Sequence, residues 1–192
     1  RKEVRRERRA PESLDVQIRV LRGKDITTSH WSAMRAFYRR TTQKKHATAY
    51  LTNSFFELAP KKLNHSAVLF IAEQSGTPVA GSLCFQRGVH LLGRYWGCEP
   101  GFEPLHFELC YHAPIETCII NTWTHFEAGA QGMHKLQRGL APALTHSAHH
   151  LRHPGLHNAV AEAMIQEQIH LEAELEWCET KLPFHRTIST TG

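Results

Sequence analysis

The fourteen residues 126–139 (FEAGAQGMHKLQRG) concentrate the chemistry of this chain. An apolar stretch ends at the carboxylate of Glu127, and Gly129, Gly132 and Gly139 free the backbone behind it. Glycine permits positive φ and close backbone approach, so the segment reads as a strand running into a loop built around a ligand. His134, Lys135 and Arg138 in that loop suit an anionic ligand or a developing oxyanion. Lys135 and Arg138 are three apart and share a face on a helical turn. Gln131 is a group that could orient a carbonyl. Glu127 is a candidate general base, with a salt bridge to Lys135 or Arg138 as the alternative. A solvated turn with scattered charges is the competing reading of the whole segment.

A second set lies upstream. Pro104 stands where a first helical position would be, so His106 and Glu108 fall in the first turn of a helix. The free N–H groups of such a turn form an anion site. A carboxylate buried near a sheet has its pKa raised towards base range, which makes Glu108 another base candidate. A capping or helix-dipole carboxylate is the alternative. Arg94 and Tyr95 alternate along a strand, so one of them faces the cleft. Tyr95 is the candidate acid, with a core aromatic as the alternative. His149 lies on an expected strand and is a candidate cleft residue. Fifteen histidines raise the question of a metal. His149, His153 and His157 have i,i+4 spacing, but Pro154-Gly155 breaks a common helix there, and no spacing gives a closed zinc set.

Bulk properties bound the answer. A chain of 192 residues with 41% hydrophobic content suits one soluble domain with its own core. No apolar run approaches the roughly 18–20 residues of a membrane span. Residues 1–9 hold six Arg/Lys against two Glu and so supply +4 of the net +5, leaving the body near neutral. That start is expected to be a basic tail or linker helix over 1–13, ahead of a domain over 14–186 and a disordered tail over 187–192. Five widely spaced cysteines without a C-x-x-C suggest reduced thiols in a cytoplasmic protein.

The elements that must position these residues follow from periodicity. Trp31, Met34, Phe37 and Tyr38 predict an amphipathic helix from Thr28 to about Lys44. A short helix begins at Thr52 and is limited by Pro60. Residues 67–73, 79–86 and 89–96 read as a three-strand antiparallel meander. A helix from Pro104 to about Ile120 then crosses to a short strand at 123–128, which returns parallel to an earlier one. A strand at 143–151 and a long helix at 155–179 complete the order. The architecture expected is α/β (α+β), a mixed and mostly antiparallel sheet flanked by helices. Its ligand crevice is bounded by residues 94–108 and 127–139.

The runs GRYWGC (93–98), LHFELCY (105–111), the 126–139 segment and THSAH (145–149) resemble a family of bacterial predicted N-acyltransferases. These are FemAB-like, peptidoglycan-biosynthesis-related proteins of the GNAT superfamily, and the resemblance spans about residues 14–186. It implies a GNAT-like acyl-CoA N-acyltransferase fold and the C-terminal half of a protein with two such halves. The activity implied is transfer of an acyl or aminoacyl group to an amine, from acyl-coenzyme A or aminoacyl-tRNA, without a metal. One departure bears on the donor: the superfamily's pyrophosphate loop is absent before Pro104. The loop 97–103 carries Glu99 and Glu103 and no base, a charge pattern that repels phosphates. A non-catalytic GNAT-like module for a ligand or partner is therefore the alternative. A third reading, nucleic-acid association through the basic start, predicts strongly salt-dependent tRNA binding.

Overall fold

The computed structural model describes residues 2–44, 48–129 and 132–183. The chain forms two compact units, residues 1–130 and 131–192.

In the first unit, α1 (Lys2–Arg8) and the short α2 (Ala10–Ser13) lead into β1 (Gln17–Arg22). Then come α3 (Thr28–Lys44), α4 (Asn53–Lys62), β2 (Ala67–Gln74), β3 (Thr77–Arg87) and β4 (His90–Cys98). The crossover ends in α5 (Ala113–Ile120), followed by β5 (His125–Glu127). The sheet order is β1-β2-β3-β4-β5, antiparallel except for the β4–β5 pair. The parallel return is the geometry a helical crossover imposes. β2 is apolar at every position from Ala67 to Ala72 because both of its faces are covered. Val68, Phe70 and Ala72 pack with Leu91, Leu105 and Leu109 on one side. Leu69 and Ile71 pack with Trp31, Met34, Phe37 and Phe56 on the other.

Four local expectations are corrected. β1 was not anticipated, although its alternation of Gln17 and Arg19 with Ile18 and Val20 has the period of a strand; it is an edge strand, with Val20 exposed. Pro60 lies inside α4 and does not end it. Only two helical residues follow, so the ring forfeits little more than the bond to Phe56 O. The helix expected from Pro104 is three pieces: a 3₁₀ turn (Glu103–Leu105), a π-helical segment (Glu108–His112) and α5.

The fourth correction is in the second unit. It holds a 3₁₀ turn (Met133–Arg138) and α6 (Pro154–Thr180). No strand forms at 143–151, and residues 143–150 are all exposed. Without a neighbouring ladder, a stretch rich in His and Ser has nothing to pay its ordering entropy.

Candidate active site where β4 parts from β5

β4 and β5 pair over three positions only: His90 with His125, Leu91 with Phe126 and Leu92 with Glu127. Beyond Leu92, β4 continues to Cys98 with no strand partner on that side among the described residues. Its pairing with β3 also shifts there. Leu83 opposes Tyr95 while Cys84 opposes Gly93, which leaves Arg94 as the extra residue of a β-bulge. Bulges re-aim a side chain and sharpen local twist. Arg94 Nη1 donates to Gly93 O at 2.9 Å and to Glu127 Oε1 at 3.4 Å. Both side chains are largely in solvent, 37% and 59% exposed, so this pair is readily exchanged for a ligand. Arg94 is a partner for Glu127 that the sequence reading, which offered Lys135 or Arg138, did not name. A Cβ at position 93 would lie 3.2 Å from Glu127 O, a tight contact that glycine avoids.

The neighbouring candidates divide around this point. His106 lies at the end of the 3₁₀ turn with its ring edge-on to Trp96 of β4, centroids 5.1 Å apart. Tyr95 packs instead in the core cluster of the opposite face, 5.2 Å from Tyr38 and 6.2 Å from Tyr50 between ring centroids. Burial and then its bond with Tyr50 push its hydroxyl up to about 12.

The loop 97–103 is less repulsive than its composition suggests. Glu99 pairs with Arg40 at 2.8 Å and Glu103 with Lys44 at 3.2 Å, both from α3. Glu103 also accepts from Gly101 N at 2.9 Å. Its own backbone N–H, then Lys44, hold this carboxyl below the usual range. The loop's acids are neutralised, and the α3 cations beside it are thereby engaged.

Glu108 faces α1. Arg8 Nη1 donates to its Oε1 at 2.6 Å, and Nη2 to Glu116 at 2.9 Å. Glu7, itself buried, meets His112 Nε2 at 2.8 Å. The basic start therefore includes a helix seated against the π segment through Glu7 and Arg8. The Glu108 side chain is 6% exposed, and its Oε2 is buried without a hydrogen-bond partner. Burial raises its pKa despite the opposing pull of Arg8. Arg8 is itself shifted up by its two carboxylates, which outweigh its own desolvation. Both shifts are upward, favouring the charged form of Arg8 and the neutral form of Glu108, because Arg8 is 41% exposed and gains two partners, whereas the carboxylate has one bond for two oxygens. A groove of about 470 Å³ beside it, lined by Val4, Ile115, Ile119 and the Arg8–Glu116 pair, has its charges already matched and reads as the packing seam of α1.

Burial disfavours the thiolate at three of the cysteines. Burial pushes Cys84 up to about 12, Cys98 up to about 11, and Cys110 higher still. Among the described residues no three His, Cys, Asp or Glu side chains are grouped to hold a metal, and no helix is long and apolar enough to cross a membrane.

In the second unit the turn Met133–Arg138 is bracketed by Gly132 (φ 118°) and Gly139 (φ 84°), conformations that favour glycine. Lys135 and Arg138 are one 3₁₀ turn apart and so are stacked in register. Arg138 Nη1 donates to His134 O at 2.6 Å. His149 is exposed and bonds Ser147 Oγ at 2.9 Å. Gln131 lies outside the described residues.

The model of one protein family, described as peptidoglycan biosynthesis/recognition and FemAB-like, matches residues 1–186. The chain belongs to the FemAB-like family. A search of the curated proteins matched none. Among solved structures, this FemAB-like chain is similar to an aminoglycoside acetyltransferase from an uncultured soil metagenomic sample in complex with sisomicin. That match has 9% identity and a TM-score of 0.50, and covers 73% of this chain and 99% of the other. It is also similar to the ribosomal-protein-alanine N-acetyltransferase of Brucella melitensis biovar Abortus 2308, with 13% identity and a TM-score of 0.48 over 72% and 99% of the two chains. At such identity the first likeness shows the fold, a GNAT fold, and no more.

Two features of the FemAB-like site were not anticipated: the bulge at Arg94 and the charge cluster of Glu7, Arg8, His112 and Glu116. The bulge has one sequence signal, Gly93 preceding a long side chain in a strand. The cluster has none, because Arg8 and Glu108 are a hundred residues apart.

Proposed function

We propose that this FemAB-like chain is an N-acyltransferase whose reaction is centred on the Arg94 bulge. The donor is acyl-coenzyme A or an aminoacyl-tRNA, and the acceptor is an amine. The observation that carries the reading is the parting of β4 from β5 beyond Leu92, with Arg94 and Glu127 meeting at the fork. Backbone groups of β4 that lack a strand partner there can bond the donor's carbonyl and the oxyanion it becomes. The acceptor nitrogen attacks that carbonyl, Glu127 takes the amine proton, and the C–S or C–O bond to the donor breaks. His106, edge-on to Trp96, returns a proton to the leaving thiolate or ribose oxygen. Tyr95, packed in the opposite core and shifted upward, is better suited to shaping β4 than to donating that proton. Glu108, held by Arg8, suits a structural role better than the base. The loop 97–103 offers an anion no open cation, and Lys135 and Arg138, with Gln131, His134 and His149 in the same segment of chain, are proposed as anion-binding residues of the second unit.

Glu127→Gln is expected to lower kcat by about 10²- to 10⁴-fold, the usual contribution of a general base. Full turnover in Glu127→Gln would overturn the mechanism. The second reading, a non-catalytic module, draws on the missing pyrophosphate loop. Thermal shift separates the two: a donor at about 100 times its Kd adds about 2.7 kcal/mol to the folded state. No shift with any acyl-coenzyme A or aminoacyl donor, from a folded protein, favours the binding module.

A further inference from the structure

The second unit presents a surface that the acyl-transfer reading does not use. α6 runs for 27 residues, and of these Cys178 alone is buried. Ile165 and Ile169 are 60% and 61% exposed, whereas Leu171 and Met164, which share a different side with Cys178, are 36% and 38% exposed. The two isoleucines stand at i and i+4 and so form one continuous apolar spot. Glu162, Glu172 and Glu176, at helical spacings from that pair, rim it with carboxylates.

The helix as a whole carries Glu162, Glu167, Glu172, Glu174, Glu176 and Glu179 and no Lys or Arg. Four of the six lie in its C-terminal half, against a single cation at the C-cap, Lys181, whose Nζ lies over the Trp177 ring at 5.4 Å. Negative charge at a helix C-terminus opposes the macrodipole. The sequence thus leaves both an apolar spot and an unfavourable charge distribution that a cationic partner would relieve together. A second copy of α6 would set carboxylates against carboxylates, and an anionic bilayer surface would repel the same rim.

We propose that the Ile165–Ile169 face of α6 docks a basic amphipathic helix of a partner protein, with apolar anchors over the isoleucines and Lys or Arg side chains over Glu162, Glu172 and Glu176. The mode is a helix laid along a helix, read by i and i+4 anchors, with charge setting specificity.

The test uses the full chain and a fluorescent peptide of about 20 residues built from Leu and Lys at helical spacing, read by anisotropy. Saturable binding is expected, weakening on going from low to high salt as exposed charges are screened. The double variant Ile165→Glu/Ile169→Glu distinguishes docking from charge attraction. It adds two carboxylates, so charge alone predicts tighter binding, while docking predicts a loss of at least about tenfold from the buried isoleucine area. Both positions are exposed, and unchanged helicity by circular dichroism confirms that the helix persists. Three results overturn the proposal: equal or tighter binding by the double variant, equal binding by a peptide of the same composition in scrambled order, or no binding by either peptide. Sedimentation showing a dimer that the double variant abolishes would assign the face to a second copy and overturn it as well.

Discussion

Gly97→Ala is expected to destabilise the fold by about 3 kcal/mol, the upper end of what overpacking a closed site costs. A Cβ at this position of β4 would clash with Phe37 O, and would lie 2.6 Å from Phe37 C and 2.7 Å from Thr41 Oγ1. The first two atoms are α3 backbone, which cannot rotate away. To make room, α3 would have to withdraw from β4, stretching the 3.0 Å bond from Thr41 Oγ1 to Trp96 O. It would also carry Arg40 and Lys44 away from the loop acids they neutralise. The cost therefore falls on stability and on the surroundings of the proposed site together. Gly81→Ala is the comparison. Its Cβ would meet Met34 Sδ at 2.5 Å and Ile71 Cδ1 at 2.9 Å, both ends of flexible side chains. That substitution is expected to cost about 1 kcal/mol, because methionine repacks easily. Urea midpoints of the two variants measure the difference. Equal costs would mean that α3 yields as readily as a side chain.

Arg8→Met is expected to cost about 2 kcal/mol at neutral pH, and the loss should depend on pH in a definite direction. Removing one partner of a buried pair leaves an uncompensated charge, at about 3–5 kcal/mol when both are fully buried. Arg8 is 41% exposed, so the figure is discounted. The Arg8–Glu116 contact, with Glu116 55% exposed, adds little. Glu108 has its folded pKa raised by burial. A carboxyl of this kind binds its proton more tightly folded than unfolded. Its contribution to stability is thus most favourable below the unfolded carboxylate pKa and declines as pH rises through the folded one. Without Arg8 the folded pKa climbs further. The gap between wild type and Arg8→Met should be small near pH 4 and widen towards neutrality. Glu108→Gln in the Arg8→Met background should recover most of it. Denaturant unfolding across that pH range checks all three expectations. A gap independent of pH would assign the loss to α1 packing through its aliphatic contacts instead.

The same residues mark how far the chain can be read without its fold. The α3 helix runs from Thr28 to Lys44, as the spacing of Trp31, Met34, Phe37 and Tyr38 predicts. The meander and the parallel return after the crossover follow from short connections and a change of period. These are signals between near neighbours in sequence. β1 carried the same kind of signal in a shorter and partly exposed form, and α6 was legible from Val160, Met164, Ile169, Leu171 and Leu175. The stretch 143–151 shows the converse: β-compatible residues make no strand when no ladder stands beside them.

The sequence by itself determined α3, the meander and the parallel return, and that a carboxylate, a run of cations and three glycines follow the last strand of the sheet, because period, capping and glycine content are properties of adjacent residues. Tertiary structure alone decided which charge meets which. It set Glu127 against Arg94 through a one-residue shift in β4, and turned Glu108 towards Arg8 instead of the fork. Pairing across 33 and 100 positions depends on strand register and on where a π-helical turn aims its side chains, and neither leaves a trace in local spacing.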